Sequence, residues 1–398
     1  MPIDLDRARR DTPGTAEVRH LNNAGAGLMP APVIEAVIGH LHREAAIGAY
    51  EAADAAEELL EHGVYAAVAR LLNAEADEIA IVENATRAWD MAFYALPLRA
   101  GDRILTAEAE YASNVIAFLH QAQRRGAVVE TVPSDADGQL DLAALARALD
   151  PVKSRGRGRV GLVAVTHVPT NGGLVNPAAA IGRLTRSAGV PYLLDACQSV
   201  GQMQVDVRAI GCDMLSATGR KFLRGPRGTG FLHIRRDFLE RLDPPFLDLH
   251  AARWVAAHRY ALRPDARRFE NWEGFVAGKA GLAAAIDYAL DIGLDAIAVR
   301  VRALADRMRA GIAAVRGARV HDLGRERCGI VTFTLEGRAA PEIKAALAAR
   351  RINVSTSSVM STRWDMEKRG LDVVVRASPH YYNTEEEVDA LVECVAGL

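Results

Sequence analysis

The stretch that decides the fold runs from Val190 to Lys221 and contains two short apolar segments, each followed by polar residues. It reads Val190-Pro-Tyr-Leu-Leu-Asp195-Ala-Cys-Gln198 and, further on, Met214-Leu-Ser-Ala-Thr218-Gly-Arg220-Lys221. Short apolar runs of this kind are typical of buried strands in a parallel sheet. Because ligands of such sheets bind beyond the carboxyl ends of the strands, we expect Asp195, Gln198 and Lys221 to lie at a ligand site.

Lys221 and Asp195 together predict the cofactor. A lysine amine becomes a covalent catalyst when it forms a Schiff base with an aldehyde, and Thr218 and Arg220 just before it could hold a phosphate. An aspartate 26 residues upstream suits a pyridine nitrogen that must stay protonated. This combination predicts pyridoxal phosphate. A nucleotide-dependent oxidoreductase is disfavoured because no Gly-x-Gly-x-x-Gly follows a predicted strand.

Other segments supply candidate contacts for the phosphate and the ring. Ala85 and Thr86 follow a predicted strand and open a helix, where backbone amides bind anions. Tyr111 could stack on a flat ring, and Thr170 lies in a polar loop after a third strand. Alone, each has a plainer interpretation, such as a helix cap or a core tyrosine. Their order along the chain, ending in Asp195 and Lys221, favours a cofactor site.

Helical and strand patterns alternate along most of the chain, which predicts an α/β fold with a mostly parallel seven-stranded sheet. Amphipathic helices are predicted at residues 31–47 and 52–72. We expect a large cofactor-binding domain at residues 16–265, with residues 1–30 packing near the active site. The predicted strands are residues 79–82, 103–106, 128–132, 160–165, 192–194, 214–216 and 230–234.

The remaining part of the chain, residues 274–398, predicts a smaller C-terminal α+β domain. Two long helices are expected at residues 276–292 and 294–315. Strands follow at residues 330–335 and 373–375, with helices at 341–350 and 384–395. A chain of 398 residues is long enough for two such domains.

Composition limits the partners. Half of the residues are apolar, a quarter are charged and the net charge is −2, which argues against nucleic-acid or membrane partners. The charged N-terminus lacks an apolar signal segment, so we expect a cytoplasmic protein. The four cysteines form no CxxC pair, which favours reduced thiols and no metal site. They are Cys197, Cys212, Cys328 and Cys394.

Nearly the whole chain resembles the class V aminotransferase family of fold-type I pyridoxal phosphate enzymes, which includes cysteine desulfurases and selenocysteine lyases. The resemblance begins at Leu21-Asn22-Asn23-Ala24-Gly25 and ends at Val375-Arg376-Ala-Ser-Pro-His-Tyr-Tyr-Asn383. Between these ends it is carried by Asn84-Ala-Thr86, Glu110-Tyr111, Asp195-x-x-Gln198 and Thr218-Gly-Arg220-Lys221.

The resemblance implies a role for each matched residue. Lys221 would carry the cofactor and move the α-proton of an amino-acid substrate, while Arg376 would bind the substrate carboxylate beside Asn23 and Ala24. Asp195 would pair with the pyridine nitrogen, Gln198 would bond the phenolic oxygen, and Tyr111 and Thr170 would contact the cofactor. The phosphate would be bound by Ala85, Thr86, Thr218 and Arg220. The family also implies a homodimer with a shared active site.

Two departures from the family pattern decide the expected reaction. Desulfurases carry a nucleophilic cysteine on a loop that here, at residues 353–363, contains none, so a persulfide-forming reaction is disfavoured. The family's partner-subunit phosphate contact is replaced by Asn271 and Trp272. We expect a lyase that cleaves a Cβ–S bond, similar to hercynylcysteine sulfoxide lyases. An aminotransferase, an epimerase of the isopenicillin N type or a non-catalytic protein are the alternatives.

Overall fold

The computed structural model describes residues 3–153 and 156–398. Its strands form one large sheet, one smaller sheet and two short pairings. In chain order the strands are β1 (Arg19–His20), β2 (Ile79–Val82), β3 (Arg103–Ala107), β4 (Val128–Val132), β5 (Val160–Thr166), β6 (Tyr192–Asp195), β7 (Met214–Thr218), β8 (Gly230–Ile234), β9 (Ala252–Ala256), β10 (Arg259–Leu262), β11 (Ala318–Val320), β12 (Val331–Leu335), β13 (Ile352–Asn353), β14 (Ser355–Ser358) and β15 (Val373–Ala377).

Helices connect most of these strands, and several of them cover the sheets. In chain order the helices are α1 (Leu5–Arg10), α2 (Ala31–Ile47), α3 (Ala49–Asp54), α4 (Val64–Leu72), α5 (Ala85–Tyr94), α6 (Ala112–Arg125), α7 (Leu142–Leu149), α8 (Ala178–Ala188), α9 (Val207–Ile210), α10 (Arg236–Leu239), α11 (Val276–Ile292), α12 (Leu294–Ala314), α13 (Ala340–Ala349), α14 (Arg363–Lys368) and α15 (Glu385–Ala396). None of the helices in the described part of the chain is long and apolar enough to cross a membrane.

The seven-stranded sheet has the order β2-β8-β7-β6-β5-β3-β4. Only β8 runs antiparallel to its neighbours, so the sheet is mostly parallel, as the alternating pattern predicts. Successive residues of the central strands face opposite sides. Val163 and Leu194 belong to one apolar cluster, whereas Leu162 and Leu193 belong to the other. Burial on both faces explains why these strands are almost wholly apolar.

The differences from the sequence prediction include a divided helix and a hairpin in the large domain. The single helix expected at residues 52–72 is wrong: α3 ends at Asp54 and a π-helical turn, Glu58–Gly63, precedes α4. Glycine is a poor helix former, and a π turn accommodates an extra residue without ending the helix. The hairpin of β9 and β10 was not expected either. Its strands carry mostly exposed side chains, so they lack the apolar pattern of a buried strand.

The smaller sheet is antiparallel, with the order β11-β12-β15-β14. Its core contains residues from α12, α13 and α15. By contrast, α11 packs on α2 and α4, and its Leu282 and Ile286 share a core with the large sheet. The N-terminal strand β1 pairs with β13. Elements of the predicted large domain therefore pair or pack with elements of the predicted small domain: β1 with β13, and α2 and α4 with α11. The domain boundaries at residues 265 and 274 stay predictions.

Candidate active site

The carboxyl ends of three adjacent strands form the floor of the candidate site. Thr166 ends β5, Asp195 ends β6 and Thr218 ends β7. The register pairs Thr166 with Asp195, and Asp195 with Ser216. Lys221 follows in a turn closed by a hydrogen bond from the Arg224 backbone N–H to the Lys221 carbonyl oxygen at 3.0 Å. The structure thus brings the predicted lysine and aspartate to one edge of the sheet.

Asp195 is a buried carboxylate with both oxygens engaged. The Asn114 side-chain amide donates to Oδ2 at 3.0 Å, and the Cys197 backbone N–H donates to Oδ1 at 2.9 Å. Burial raises the pKa of Asp195, while these two hydrogen bonds and the Lys221 charge oppose the rise. A carboxylate held by donors near a cation can face a protonated ring nitrogen.

Cys197 is a site residue that sequence reasoning missed. Burial raises the pKa of its thiol, and the nearby Lys221 charge opposes this rise. The sequence did contain a signal, because Cys197 lies between the predicted residues Asp195 and Gln198. Asn114 was missed as well. It lies in the first turn of α6, and its contact with Asp195 depends on how α6 packs over β6.

Arg376, on β15, brings a buried positive charge into the site. Its Nη1 donates to the Thr170 hydroxyl at 2.6 Å, whereas its buried Nε has no hydrogen-bond partner among the described residues. Burial lowers the pKa of Arg376 to about 10; Tyr111 opposes this and the Arg220 charge adds to it. Arg376 therefore interacts with three other predicted residues: Thr170, Tyr111 and Arg220.

The predicted phosphate residues lie where α5 begins beside β7 and β8. Ala85 and Thr86 form the first turn of α5, whose N-cap Asn84 accepts a hydrogen bond from the Arg87 N–H at 2.9 Å. Gly230 permits this approach, because a Cβ there would lie 2.7 Å from the Asn84 carbonyl carbon. At the end of β7, Arg220 Nη1 donates to the Thr218 hydroxyl at 3.2 Å. A helix start beside an arginine and a hydroxyl is suited to a phosphate.

The N-terminal segment forms another wall. The Gln198 amide donates to the Ala24 carbonyl at 3.1 Å, and the Asn23 amide donates to the Ser378 carbonyl at 2.8 Å. The Gly27 N–H donates to the Arg220 carbonyl at 2.8 Å. Asn23 and Ala24 are buried between the Lys221 turn and the end of β15. Asn23, Ala24 and Gly27 therefore pack against the candidate site, while the packing expected of the whole segment 1–30 stays a prediction.

Arg224 connects the N-terminal segment to the turn after Lys221 and to Tyr381 and Tyr382. It is buried and adopts a left-handed φ of 62°, which is rare for a residue other than glycine. Its guanidinium donates to the Leu28 carbonyl at 2.7 Å, and to the hydroxyls of Thr12 and Tyr381. It also lies over the Tyr382 ring, 4.5 Å from the centroid. One side chain thus ties the turn after Lys221 to both ends of the chain.

Asn271 and Trp272 lie near the start of α5, away from Lys221 and Asp195. Asn271 accepts a hydrogen bond from Arg87 at 3.1 Å and is exposed, and 62% of Trp272 is accessible. Among the described residues, neither forms a hydrogen bond with Lys221 or Asp195. Their expected contact with the cofactor of a partner subunit stays a prediction. Tyr111, at the start of α6, is 37% exposed and free to cover a flat ligand from one side.

The donor set fits pyridoxal phosphate bound with an amino acid. Neither Arg220 nor Arg376 has a carboxylate within 4 Å among the residues that the structure describes. A buried guanidinium is costly unless an anion compensates it. A phosphate and a substrate carboxylate supply two such anions, while Asp195 supplies the counter-charge for a ring nitrogen. The unpaired Arg376 Nε is a donor available to the substrate carboxylate.

Comparisons with known proteins agree with this chemistry. A cysteine desulfurase of Dickeya dadantii (strain 3937) is 31% identical over 408 residues, which cover 99% of this chain and 96% of the relative. A probable cysteine desulfurase of Pyrococcus abyssi is 30% identical over 393 residues, covering 96% of this chain and 95% of the relative.

Solved structures show the same architecture. The apo cysteine desulfurase of Thermococcus onnurineus NA1 matches with a TM-score of 0.89 at 28% identity, over 100% of this chain and 99% of the other. The cystine C–S lyase C-DES, solved with its product cysteine persulfide, shares the fold with a TM-score of 0.85 at 24% identity, over 97% and 99% of the two chains. The model of the family described as aminotransferase class-V matches residues 19–391. The chain belongs to this family, and it is a pyridoxal phosphate-dependent enzyme.

Proposed function

We propose that the protein is a lyase that cleaves the Cβ–S bond of an S-substituted L-α-amino acid and forms no enzyme persulfide. The absence of a cysteine from residues 353–363 carries the proposal. This segment forms β13, β14 and a short turn, and its only sulfur belongs to Met360. Without a thiolate there, the chain has no acceptor that could take sulfur from the substrate at this position.

The other cysteines support this proposal. Cys212, Cys328 and Cys394 are buried, and burial raises the pKa of Cys328 to about 12. Cys197 lies in the site, but it is on the fixed turn after β6 and the pKa of its thiol is also raised. A protonated thiol is a poor nucleophile, so Cys197 is disfavoured as a sulfur acceptor.

The proposed reaction is balanced with water as the only co-substrate. The Cα–H and Cβ–S bonds break, and the sulfur leaves with a proton as a thiol, or as a sulfenic acid when the substrate is a sulfoxide. The enamine that is released takes up water and yields pyruvate and ammonium. No external oxidant or reductant is required.

The chain's own residues would bind the reactants and move one proton. Bound pyridoxal phosphate supplies the electron sink that acidifies the Cα–H bond. The Lys221 amine would carry the cofactor and then take the α-proton. Arg376 would bind the substrate carboxylate through its guanidinium fork, with Asn23 and Ala24 beside the substrate. Thr218, Arg220, Ala85 and Thr86 would hold the phosphate, and Gln198 would contact the phenolic oxygen.

Product analysis tests the proposal directly. The full-length protein would be incubated with S-methyl-L-cysteine, its sulfoxide or L-cysteine, and pyruvate, ammonium and α-proton exchange would be followed separately. We expect pyruvate and ammonium in equal amounts, lost in Lys221→Ala and kept in Cys197→Ser. Keto acid with stoichiometric pyridoxamine phosphate would instead indicate an aminotransferase, and exchange without pyruvate would indicate an epimerase. Loss of activity in Cys197→Ser would show that the site thiol accepts sulfur.

A homodimer with a shared site is also proposed, because aromatic side chains are exposed near the cofactor residues. Trp272 and Phe275 lie beside the start of α5, and 74% of Trp254 on the β9–β10 hairpin is accessible. Sedimentation should show a dimer that Trp254→Asp weakens. The control, Val299→Asp, changes an equally exposed residue on α12 and should leave the dimer intact. A wild-type monomer would contradict the proposal.

A further inference from the structure

A hydrogen-bond network beneath the candidate site connects Asp195 to a second carboxylate, Glu110. The Asn114 side-chain nitrogen donates to Glu110 Oε1 at 2.8 Å and to Asp195 Oδ2 at 3.0 Å. All three side chains are almost completely buried. A side-chain amide carries two N–H donors, so this amide places one on each carboxylate.

Glu110 is held firmly by the surrounding elements. Its carboxylate accepts hydrogen bonds from the N–H groups of Tyr111 and Thr166, each at 3.0 Å, and from the Thr106 hydroxyl at 2.9 Å. The Thr166 hydroxyl is a further donor. These donors come from β3, β5 and the start of α6. Because they fix Glu110 as an acceptor, the Asn114 amide must direct N–H groups, and not its carbonyl oxygen, at both carboxylates.

The network fixes the orientation of Asp195. With Asn114 on one oxygen and the Cys197 N–H on the other, the carboxylate plane cannot rotate without losing a hydrogen bond. A hydrogen bond to a charged group inside a protein is stronger than one between neutral groups. Burial raises the pKa of Glu110 to about 7, and when Glu110 is ionised its charge adds negative potential behind Asp195, which increases the proton affinity of any group that faces it.

We infer that Asn114 and Glu110 are positioning residues for the cofactor: the amide orients Asp195, and Glu110 holds the amide and strengthens the negative potential at the ring nitrogen. The other charged or titratable groups facing Asp195 are Lys221 and Cys197. This inference rests on the proposed pairing of Asp195 with that nitrogen.

Cofactor binding tests the inference without an activity assay. The full-length protein would be stripped of cofactor and titrated with pyridoxal phosphate, with the visible absorbance band as the readout. We expect Asn114→Ala to bind about 10- to 100-fold more weakly, which corresponds to the loss of one hydrogen bond to a charged group. Asn114→Asp should be weaker still, because it turns an acceptor toward two carboxylates. If Asn114 only fills space, the nearly isosteric Asp variant would instead be the milder of the two.

A double-mutant cycle separates positioning from general damage. In an Asp195→Asn background, Asn114→Ala should cause little further loss, because the oriented carboxylate is already gone. Gln121→Ala removes another buried amide from α6 and should bind like wild type. Thermal unfolding of each variant confirms folding, and Asn114→Ser, which keeps a donor, replaces the Ala variant if that one does not fold.

The outcomes are distinct. A wild-type protein that shows no absorbance band would overturn the cofactor site itself, and this inference with it. Wild-type binding combined with unchanged affinity in Asn114→Ala, or with fully additive losses in the cycle, would overturn the inference alone.

Discussion

Replacing Arg376 with methionine should stabilise the cofactor-free protein while it weakens binding of an amino acid. The pKa of Arg376 falls from 12.5 to about 10, and burial is the main cause. At about 1.4 kcal/mol for each tenfold change in proton affinity, the buried charge costs the native state about 3 kcal/mol. The substitution also removes the hydrogen bond to Thr170, which costs about 1 kcal/mol of stability. The free energy of unfolding should therefore rise by roughly 2 kcal/mol.

Arg309 provides a matched control of opposite sign. It is equally buried, but its Nε lies 2.7 Å from the fully buried carboxylate of Asp322, and it also donates to two carbonyl oxygens. Arg309→Met would leave that carboxylate buried without its partner, which costs about 3–5 kcal/mol. Two buried arginines should thus respond to the same substitution in opposite directions, because only one has an internal counter-charge.

Urea denaturation and ligand titration measure the two effects. The change in the visible spectrum on adding L-alanine reports carboxylate binding, and we expect Arg376→Met to raise its Kd roughly a hundredfold, or by about 3 kcal/mol. Arg376→Lys keeps the charge and should gain little stability. If Arg376→Met destabilised the protein as much as Arg309→Met, the idea of an uncompensated charge awaiting an anion would be wrong.

Two further predictions concern stability. Gly182→Ala should destabilise the protein by several kcal/mol, because the new Cβ would lie 1.8 Å from the Ile210 carbonyl oxygen. Gly39→Ala on α2 adds a Cβ that meets nothing within 4 Å, and it should stabilise the protein by about 0.5–1 kcal/mol. Urea denaturation measures both variants, and equal effects on the free energy of unfolding would refute this reasoning. Burial raises the pKa of Glu110 from 4.5 to about 7, so deprotonation is disfavoured in the native state and stability should fall by about 3 kcal/mol as pH rises from about 4.5 to 7. Glu110→Gln should lack this fall, and parallel pH profiles of the two proteins would contradict the assignment.

Local sequence patterns were sufficient to predict the central sheet and to place Asp195 and Lys221 at one edge of it. Most of the predicted strands are largely apolar, Asp195 directly follows one of them, and Lys221 lies a few residues after another. The bridge from Glu110 through Asn114 to Asp195 could not be predicted in this way. It joins residues 81 positions apart, and it depends on how α6 is placed over the strand ends.

Asn271 and Trp272 show a different limit of prediction from the sequence. Their predicted role depends on a second copy of the chain, so neither the sequence pattern nor the fold of one chain can place them at a cofactor. The division of the helix at residues 52–72 shows another. The alanine-rich pattern is compatible with a continuous helix, and it contains no signal for the π turn at Glu58–Gly63.

The contacts of Arg224 also determine when the site can be completed during synthesis. This side chain connects Thr12 and Leu28 to Tyr381 and Tyr382, which leave the ribosome much later. Arg376 and Ser378 are equally late. A nascent chain therefore lacks the wall formed by β15 until Val373–Ala377 have been synthesised. Capture of the cofactor in its final geometry must consequently wait until β15 has been synthesised, and changes near Thr12 or near Tyr381 would affect the same site.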